Sequence, residues 1–450
     1  MNNKILAVAL LMLATIVSQA QTINLEFPYF AGYTYDFKVF QGDKLITLKK
    51  DTIPNGGKVQ LTIPKEYADY KGVGQWYLTN SETGGGLDLI INSEDFSVSC
   101  FDTIPTSESL VYKNTKENLF DKANYQKQQN LFEKHDAMLA TTKAYKHDTK
   151  MYKRALKEYE SLKKEYVVYT KELSNSPLYA AKFRQIVNVT MGIGTLITQD
   201  EIEKANNINT FLVEELDYKV LYTSNHWYGV INNWVQLQTM VFKDDAKMIA
   251  DAKTILSRIK ENKVYTDFVI SLTKELTKAG KDTIIEALTP VIKNSQKLER
   301  FDGFLSVYQL DLSGKAPDLI ISNSLVKTEE NNKDSTVLKT DALQAKYSLL
   351  VFYKSGCGPC EITIAGLIEN YQKIKAKNIR IITLSADVDE QVYTSTAAQF
   401  PWKDTYCDFK GTTGVNFKNY AVMGTPTMYL LDNKGIIIKK IATYEQVLAE

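Results

Sequence analysis

Hydrophobic and polar residues follow three rhythms along the 450-residue chain. From about Gln21 to Pro105, short β-prone runs such as Tyr35 to Phe40, Lys58 to Ile63 and Leu87 to Ile91 alternate with turn clusters, Pro54-Asn55-Gly56-Gly57 and Gly84-Gly85-Gly86 among them. Four prolines and nine glycines punctuate this stretch. Short runs between such breakers predict strands, here of a small antiparallel β domain.

From about Thr106 to Arg300 the breakers thin to Pro177, Pro290 and four glycines, as long helices require. Tyr152, Leu156, Tyr159, Leu162, Tyr166, Tyr169 and Leu173 recur every three or four residues and lay one aromatic stripe along a helix ending at Ser174-Asn175-Ser176-Pro177. Thr198 followed by Glu201 has the spacing of a capping box, and Gly280 stands where a helix C-cap is expected. This is a helical middle domain, and its tyrosine stripe reads as packing surface rather than as a ligand groove.

From about 301 to 450, apolar runs of strand length, Tyr347 to Tyr353 and Ile379 to Leu384, alternate with segments of helical spacing. That alternation predicts an α/β domain with a partly parallel sheet. Thr427 to Leu431, the turn Asp432-Asn433-Lys434-Gly435, and Ile436 to Lys440 predict a terminal hairpin. The chain thus reads as multidomain: a leader (1–20), a β-rich domain (21–105), a helical domain (106–300) and an α/β domain (301–450).

Composition narrows the function classes. A formal net charge of +1 offers no basic stripe for a phosphate backbone, so nucleic acid is not an expected partner. At the N-terminus, Lys4 precedes an apolar run of thirteen residues, Ile5 to Val17, interrupted only by Thr15, and then Ser18-Gln19-Ala20. This is the pattern of a secretory signal cleaved after Ala20, and the run falls short of the ~20 residues that span a bilayer. The expected location is the periplasm, with membrane association left open. No cysteine follows the run for acylation.

Export changes the meaning of the four cysteines, Cys100, Cys357, Cys360 and Cys407, because an oxidising compartment favours disulfide chemistry. Four are too few to staple so long a chain. Cys357-Gly358-Pro359-Cys360 follows the buried-type run Leu349 to Tyr353 and opens a helix running toward Lys377. A sulfur there faces unpaired N–H groups and the positive end of the helix dipole, which lowers its pKa below the ~8.5 of a free thiol. Cys357 is then the attacking thiolate, and Cys360, one turn inward, resolves the mixed disulfide. Pro359 suits a first helical turn, where its missing N–H costs nothing.

Gly424-Thr425-Pro426-Thr427 lies just before the terminal hairpin. Together with Ala316-Pro317-Asp318 and the strand leading into Cys357-Gly358-Pro359-Cys360, it resembles the TlpA/ResA-like branch of the thioredoxin superfamily over about Leu312 to Glu450. The resemblance implies a thioredoxin fold, a cis-proline at Pro426, and a substrate peptide paired with the backbone of Thr425 as an added strand. It also implies disulfide-containing exported substrates, apocytochromes among them, and a membrane thiol-reducing electron donor, with no cofactor. Residues 21 to 300 resemble, more weakly, the N-terminal extensions of exported members.

The chain departs from that pattern. Gly356 stands where a tryptophan usually precedes the first cysteine, and Val351 and Thr363 occupy the two places that often hold a buried acid. Glu361 is a candidate substitute, although an acid on a first helical turn also serves as a plain dipole contact.

Rival readings fit less well. A zinc site needs about four ligands, whereas His135, His147 and His226 lie far off in the helical zone. A peroxiredoxin places proline seven residues and threonine or serine three residues before its reactive cysteine; Leu350 and Lys354 stand there relative to Cys357, and Tyr353 and Cys357 relative to Cys360. A binding or scaffold protein with an inert CxxC stays open, as does a disulfide oxidase or isomerase. Cys407, at the end of a predicted strand Trp402 to Cys407, is a candidate third redox cysteine, since strand ends gather where α/β sites form. A Cys100–Cys407 disulfide is a further option, set by a distance the sequence does not contain.

Overall fold

The computed structural model describes residues 21–301, 303–308, 314–322, 335–422, 424–441 and 443–449; the leader reading of residues 1–20 lies outside the described residues. The chain divides into two compact units, Met1–Phe268 and Val269–Glu450, with the boundary inside the helix Asn262–Lys278. Among the described residues no helix is long and apolar enough to cross a membrane.

The first unit opens with eight strands: β1 (Thr22–Glu26), β2 (Thr34–Gln41), β3 (Lys44–Thr52), β4 (Lys58–Thr62), β5 (Lys71–Leu78), β6 (Gly86–Asn92), β7 (Phe96–Ser99) and β8 (Val111–Lys113). They form two four-stranded sheets, ordered β4-β1-β7-β8 and β3-β2-β5-β6. Alternate residues Ile23 and Leu25, Val59 and Leu61, Phe96 and Val98 face inward from the first sheet. They share one core with Phe37, Trp76 and Ile91 of the second, so the sheets make a sandwich. The expected all-antiparallel domain needs one correction: β1 pairs with β7 in parallel, Ile23 opposite Phe96. The chain leaves β1, builds the other sheet and returns alongside, which no local turn signal encodes.

Helices α1 (Lys116–Ala144), α2 (Lys150–Asn175) and α3 (Tyr179–Thr190) follow, the first two capped by Thr115 and Thr149. The β and helical zones are stitched within this unit. The Asn118 side chain accepts from Ile90 N at 2.8 Å and donates to Ile90 O at 2.9 Å, standing in for a strand neighbour of β6. Buried Glu117 accepts from Ala180 N at 2.8 Å, an anion at the positive end of α3. Along α2, Tyr159, Leu162, Tyr166, Tyr169 and Leu173 are buried as the stripe predicts, while Leu156 is exposed. Tyr166 Oη donates to Gly194 O at 2.9 Å and Tyr169 Oη to Gln128 Oε1 at 3.2 Å, so the stripe is satisfied core. The cap near residue 200 is Asp200 rather than Thr198, with Oδ1 accepting from Ile202 N at 2.9 Å and Glu203 N at 2.8 Å. Its short carboxylate reaches two of the free donors of the first turn and suits the dipole there.

In the second unit Gly280 is a helix C-cap, with φ +67° and Lys281 N bonded to Leu276 O at 2.9 Å. A two-stranded ribbon, β9 (Leu319–Ser322) with β10 (Ser335–Leu338), precedes a five-stranded sheet. That sheet contains β11 (Tyr347–Tyr353), β12 (Ile379–Ser385), β13 (Asp404–Cys407), β14 (Thr427–Asp432) and β15 (Ile437–Ile441), ordered β13-β12-β11-β14-β15. The pairs β11/β12 and β12/β13 are parallel; β14 and β15 run antiparallel as the terminal hairpin.

β11 is apolar without interruption because both its faces are covered. Leu349, Val351 and Tyr353 pack with Cys360, Leu367 and Ile374 from α4 (Gly358–Glu369) and α5 (Tyr371–Ala376). Leu350 and Phe352 pack on the other face with Phe417 and Tyr420, beside α7 (Val415–Asn419). Between these last two in sequence comes α6 (Glu390–Ala397), and α8 (Tyr444–Leu448) closes the chain. The expected single helix toward Lys377 is broken at Asn370, whose side-chain amide turns back to Gly366 O at 3.0 Å. Gly366 itself is required by close packing: a Cβ there would lie 2.5 Å from the Tyr444 ring. The strand expected from Trp402 starts only at Asp404, because Trp402 turns inward to stack on Phe400 and donate to Thr383 Oγ1 at 3.2 Å.

Candidate functional site

β11 ends at Tyr353, and Lys354-Ser355-Gly356 leads to Cys357, the N-cap residue of α4. Gly356 has φ +71°, a conformation that costs a residue with a Cβ roughly 1–2 kcal/mol. This accounts for glycine at the place where the resemblance expects tryptophan. A Cβ built on Gly356, Gly358 or Gly424 would meet no heavy atom within 4 Å, so open space surrounds the motif.

Opposite Cys357 lies the loop Gly424-Thr425-Pro426, in which the Thr425–Pro426 peptide bond is cis. Cys357 Sγ is 3.5 Å from Thr425 O, and Thr425 Oγ1 lies 3.9 Å from the same sulfur. Thr427 Oγ1 steadies the loop by donating to Gly424 O at 2.7 Å. Upstream, Tyr420 Oη donates to Pro317 O while Tyr429 Oη donates to Tyr420 O at 2.8 Å, so the Ala316-Pro317-Asp318 segment anchors the approach to this loop. Asp318 is itself bonded to Lys339 Nζ at 2.7 Å and Thr340 N at 3.1 Å.

The two sulfurs, both free thiols, are electrostatically unlike. Partial burial opposes ionisation of Cys357, but donors from the Cys360 thiol, the Cys360 backbone N–H and Thr425 outweigh it and hold its pKa below the ordinary thiol value; Glu361 pulls weakly the other way. Cys360 is buried, with 1% exposure, and burial together with the hydrogen bond it gives Cys357 pushes its pKa up to about 11. One sulfur is thus an accessible thiolate in waiting and the other a protonated, sheltered partner.

Val351 and Thr363 are both buried and neither carries an acid; Glu361 is exposed and acts on Cys357 as a repelling charge, not as a buried proton relay. Cys407 stands at the end of β13, opposite Ser385 of β12. Its thiol, raised to about 11 mainly by burial, donates to Asp387 O at 3.3 Å and accepts from Phe409 N at 3.4 Å. The structure therefore brings Cys357, Cys360, Thr425 and Pro426 together and gives Cys407 other neighbours. Cys100 is a free buried thiol in the sandwich core, 3.4 Å from Ser109 Oγ. Among the described residues no cluster of His, Cys, Asp or Glu has the makings of a metal site.

Sequence reasoning missed Ser355 and Asp387. Asp387, just past β12 and buried, accepts from Ser355 N at 3.0 Å and Ser355 Oγ at 2.6 Å. The only sequence signal is an acid directly after an apolar strand, Leu384-Ser385-Ala386-Asp387.

With this geometry in view, a family model described as thioredoxin-like matches residues 344–437. Nucleoredoxin of Danio rerio is 30% identical over 124 residues, 27% of this chain and 28% of nucleoredoxin. The matched stretch thus spans little more than a quarter of that relative. A thiol-disulfide oxidoreductase ResA of Bacillus cereus is 28% identical over 138 residues, 31% of this chain and 73% of ResA. Among solved structures, a thiol-disulfide oxidoreductase from Bacteroides fragilis NCTC 9343 is 26% identical, covering 29% of this chain and 90% of its own, with a TM-score of 0.24. A thioredoxin-like protein from Bacteroides caccae ATCC 43185 is 17% identical, covering 57% of this chain and 96% of its own, with a TM-score of 0.33. The C-terminal α/β domain is thus thioredoxin-like over residues 344–437 and similar in sequence to a thiol-disulfide oxidoreductase. Among thioredoxin-superfamily proteins its sequence similarity extends to ResA.

Proposed function

We propose that this protein is an exported oxidoreductase that reduces disulfides of periplasmic proteins through a Cys357/Cys360 cycle. The observation that carries the Cys357/Cys360 cycle is the asymmetry of the pair: Cys357 at a helix start with its pKa lowered, Cys360 buried behind it at about 11. The Cys357 thiolate attacks a substrate disulfide, forming a mixed disulfide and expelling one substrate thiolate. Cys360 then gives up its proton and attacks Cys357 Sγ, releasing the second substrate thiol. Two electrons pass to the substrate and the protein is left with a Cys357–Cys360 disulfide, which a membrane thiol donor re-reduces. Thr425 and cis-Pro426 offer a short backbone edge for a substrate segment to pair with. The periplasm is supported by the leader-type residues Lys4 to Ala20.

One observation favours the opposite direction. A lowered Cys357 pKa stabilises the reduced form, and that makes a pair more oxidising. Insulin reduction by the full chain with dithiothreitol as donor tests the principal reading. Turnover should vanish in Cys357→Ser; equal turnover in that variant would instead support an inert pair on a binding protein.

A further inference from the structure

Beside the five-stranded sheet, Asp387 is a buried carboxylate that the exchange chemistry leaves unused. Asp387 is 3% exposed, and among the described residues no cation pairs with it. A carboxyl group in that position is costly unless its oxygens are well supplied with donors. Oδ1 accepts from Ser355 N at 3.0 Å, and Oδ2 accepts from Ser355 Oγ at 2.6 Å and from Ser385 Oγ at 2.7 Å. Two of the three donors therefore belong to Ser355, two residues before Cys357.

The two ends of this clamp differ in stiffness. Asp387 is fixed to the sheet: its N–H donates to Ser385 Oγ at 3.0 Å, its carbonyl accepts from Cys407 Sγ at 3.3 Å, and Ser385 is registered between Tyr353 and Cys407. Ser355 lies in the loop between β11 and α4, with Thr396 Oγ1 of α6 3.0 Å from its hydroxyl. Only Gly356, at φ +71°, separates it from the nucleophile. Glycine has the widest backbone freedom of any residue, so the angle at which the chain enters α4 must be set by something other than its own preference.

We propose that Asp387 is a positioning residue: by clamping Ser355 it fixes the entry into α4 and so seats the Cys357 sulfur against Thr425 and the first turn of the helix. The groups that act on Cys357 are Cys360, Thr425 and Glu361. Asp387 instead faces Tyr353, Tyr393 and Cys407, the last also near Asp408, so its influence runs through geometry rather than through its charge. The proposal rests on the dithiol reading above and adds the residue that keeps its nucleophile in place.

The test is the pH dependence of iodoacetamide alkylation at Cys357 in the reduced full chain, read by mass spectrometry of the Cys357 peptide, for wild type, Asp387→Ala, Asp387→Asn and Ser355→Ala. Losing the clamp should raise the alkylation midpoint in Asp387→Ala by ~0.5 unit or more, slowing reaction below the midpoint about threefold or more. Asp387→Asn keeps an acceptor for Ser355 N and should stay nearer wild type; Ser355→Ala should shift upward in the same sense as Asp387→Ala. If Asp387→Ala does not fold, Ser355→Ala carries the test, because it changes one hydroxyl on a partly exposed residue. Wild-type midpoints in both Ser355→Ala and Asp387→Ala would overturn the proposal, as would downward shifts in Asp387→Ala and Asp387→Asn, which would show that the charge, not the clamp, matters. A wild-type midpoint no lower than that of an ordinary thiol would instead sink the dithiol reading itself.

Discussion

Replacing Gly356 by alanine isolates the backbone conformation that delivers Cys357 to its helix. At φ +71° an alanine incurs roughly 1–2 kcal/mol relative to its preferred region. No heavy atom lies within 4 Å of the new Cβ, so steric overlap adds nothing. Alanine also narrows the unfolded ensemble, which returns about 0.4–1 kcal/mol. The net expectation is a loss of about 1 kcal/mol, or a melting temperature for the second unit lower by about 2–4 °C. Gly358→Ala is the matched control, since its Cβ also meets open space but its φ is not positive and it lies in the first turn of α4. Alanine is the better helix former, so that variant should hold or gain stability. Calorimetry of the full chain, with the two units' transitions assigned separately, reads both. An unchanged or higher melting temperature for Gly356→Ala, with Gly358→Ala no better, would refute the claim that a left-handed backbone explains the missing tryptophan.

Other expectations follow from individual contacts. Cys360→Ser should accumulate mixed disulfides at Cys357 in cells, recoverable by non-reducing electrophoresis and mass spectrometry; a variant that traps nothing argues against a substrate reductase. Glu361→Gln removes a charge that raises the Cys357 pKa, so its alkylation midpoint should move lower still, and the difference from wild type should shrink as salt increases. Tyr166→Phe leaves Gly194 O without its 2.9 Å partner in the first unit and should cost about 1 kcal/mol in denaturant titrations while insulin reduction is unaltered.

Legibility in the sequence followed the range of the interactions. The continuous run Tyr347 to Tyr353 announced a strand covered on both faces, and the terminal hairpin was readable from Asp432-Asn433-Lys434-Gly435. Cys357 and Cys360 were readable because their chemistry depends on a helix start only three residues long. The parallel β1/β7 pair was not, since its partners stand more than seventy positions apart, Ile23 with Phe96. Nor was the clamp from Asp387 to Ser355, which joins residues 32 positions apart through ordinary polar side chains. Glycine at 356 looked like a defect in the motif until its φ was known. The break at Asn370 was hidden because apolar spacing continues across it into Ile374.

The cycle itself is tested most directly by equilibrating the full chain with glutathione buffers of graded ratio and mapping the disulfides by mass spectrometry. One reversible two-electron transition that joins Cys357 to Cys360 is expected, absent from either serine variant. A midpoint near ~−270 mV would mark a reductase and one near ~−120 mV an oxidant. A Cys357 that stays free, or that carries glutathione without ever closing onto Cys360, would rule the dithiol cycle out.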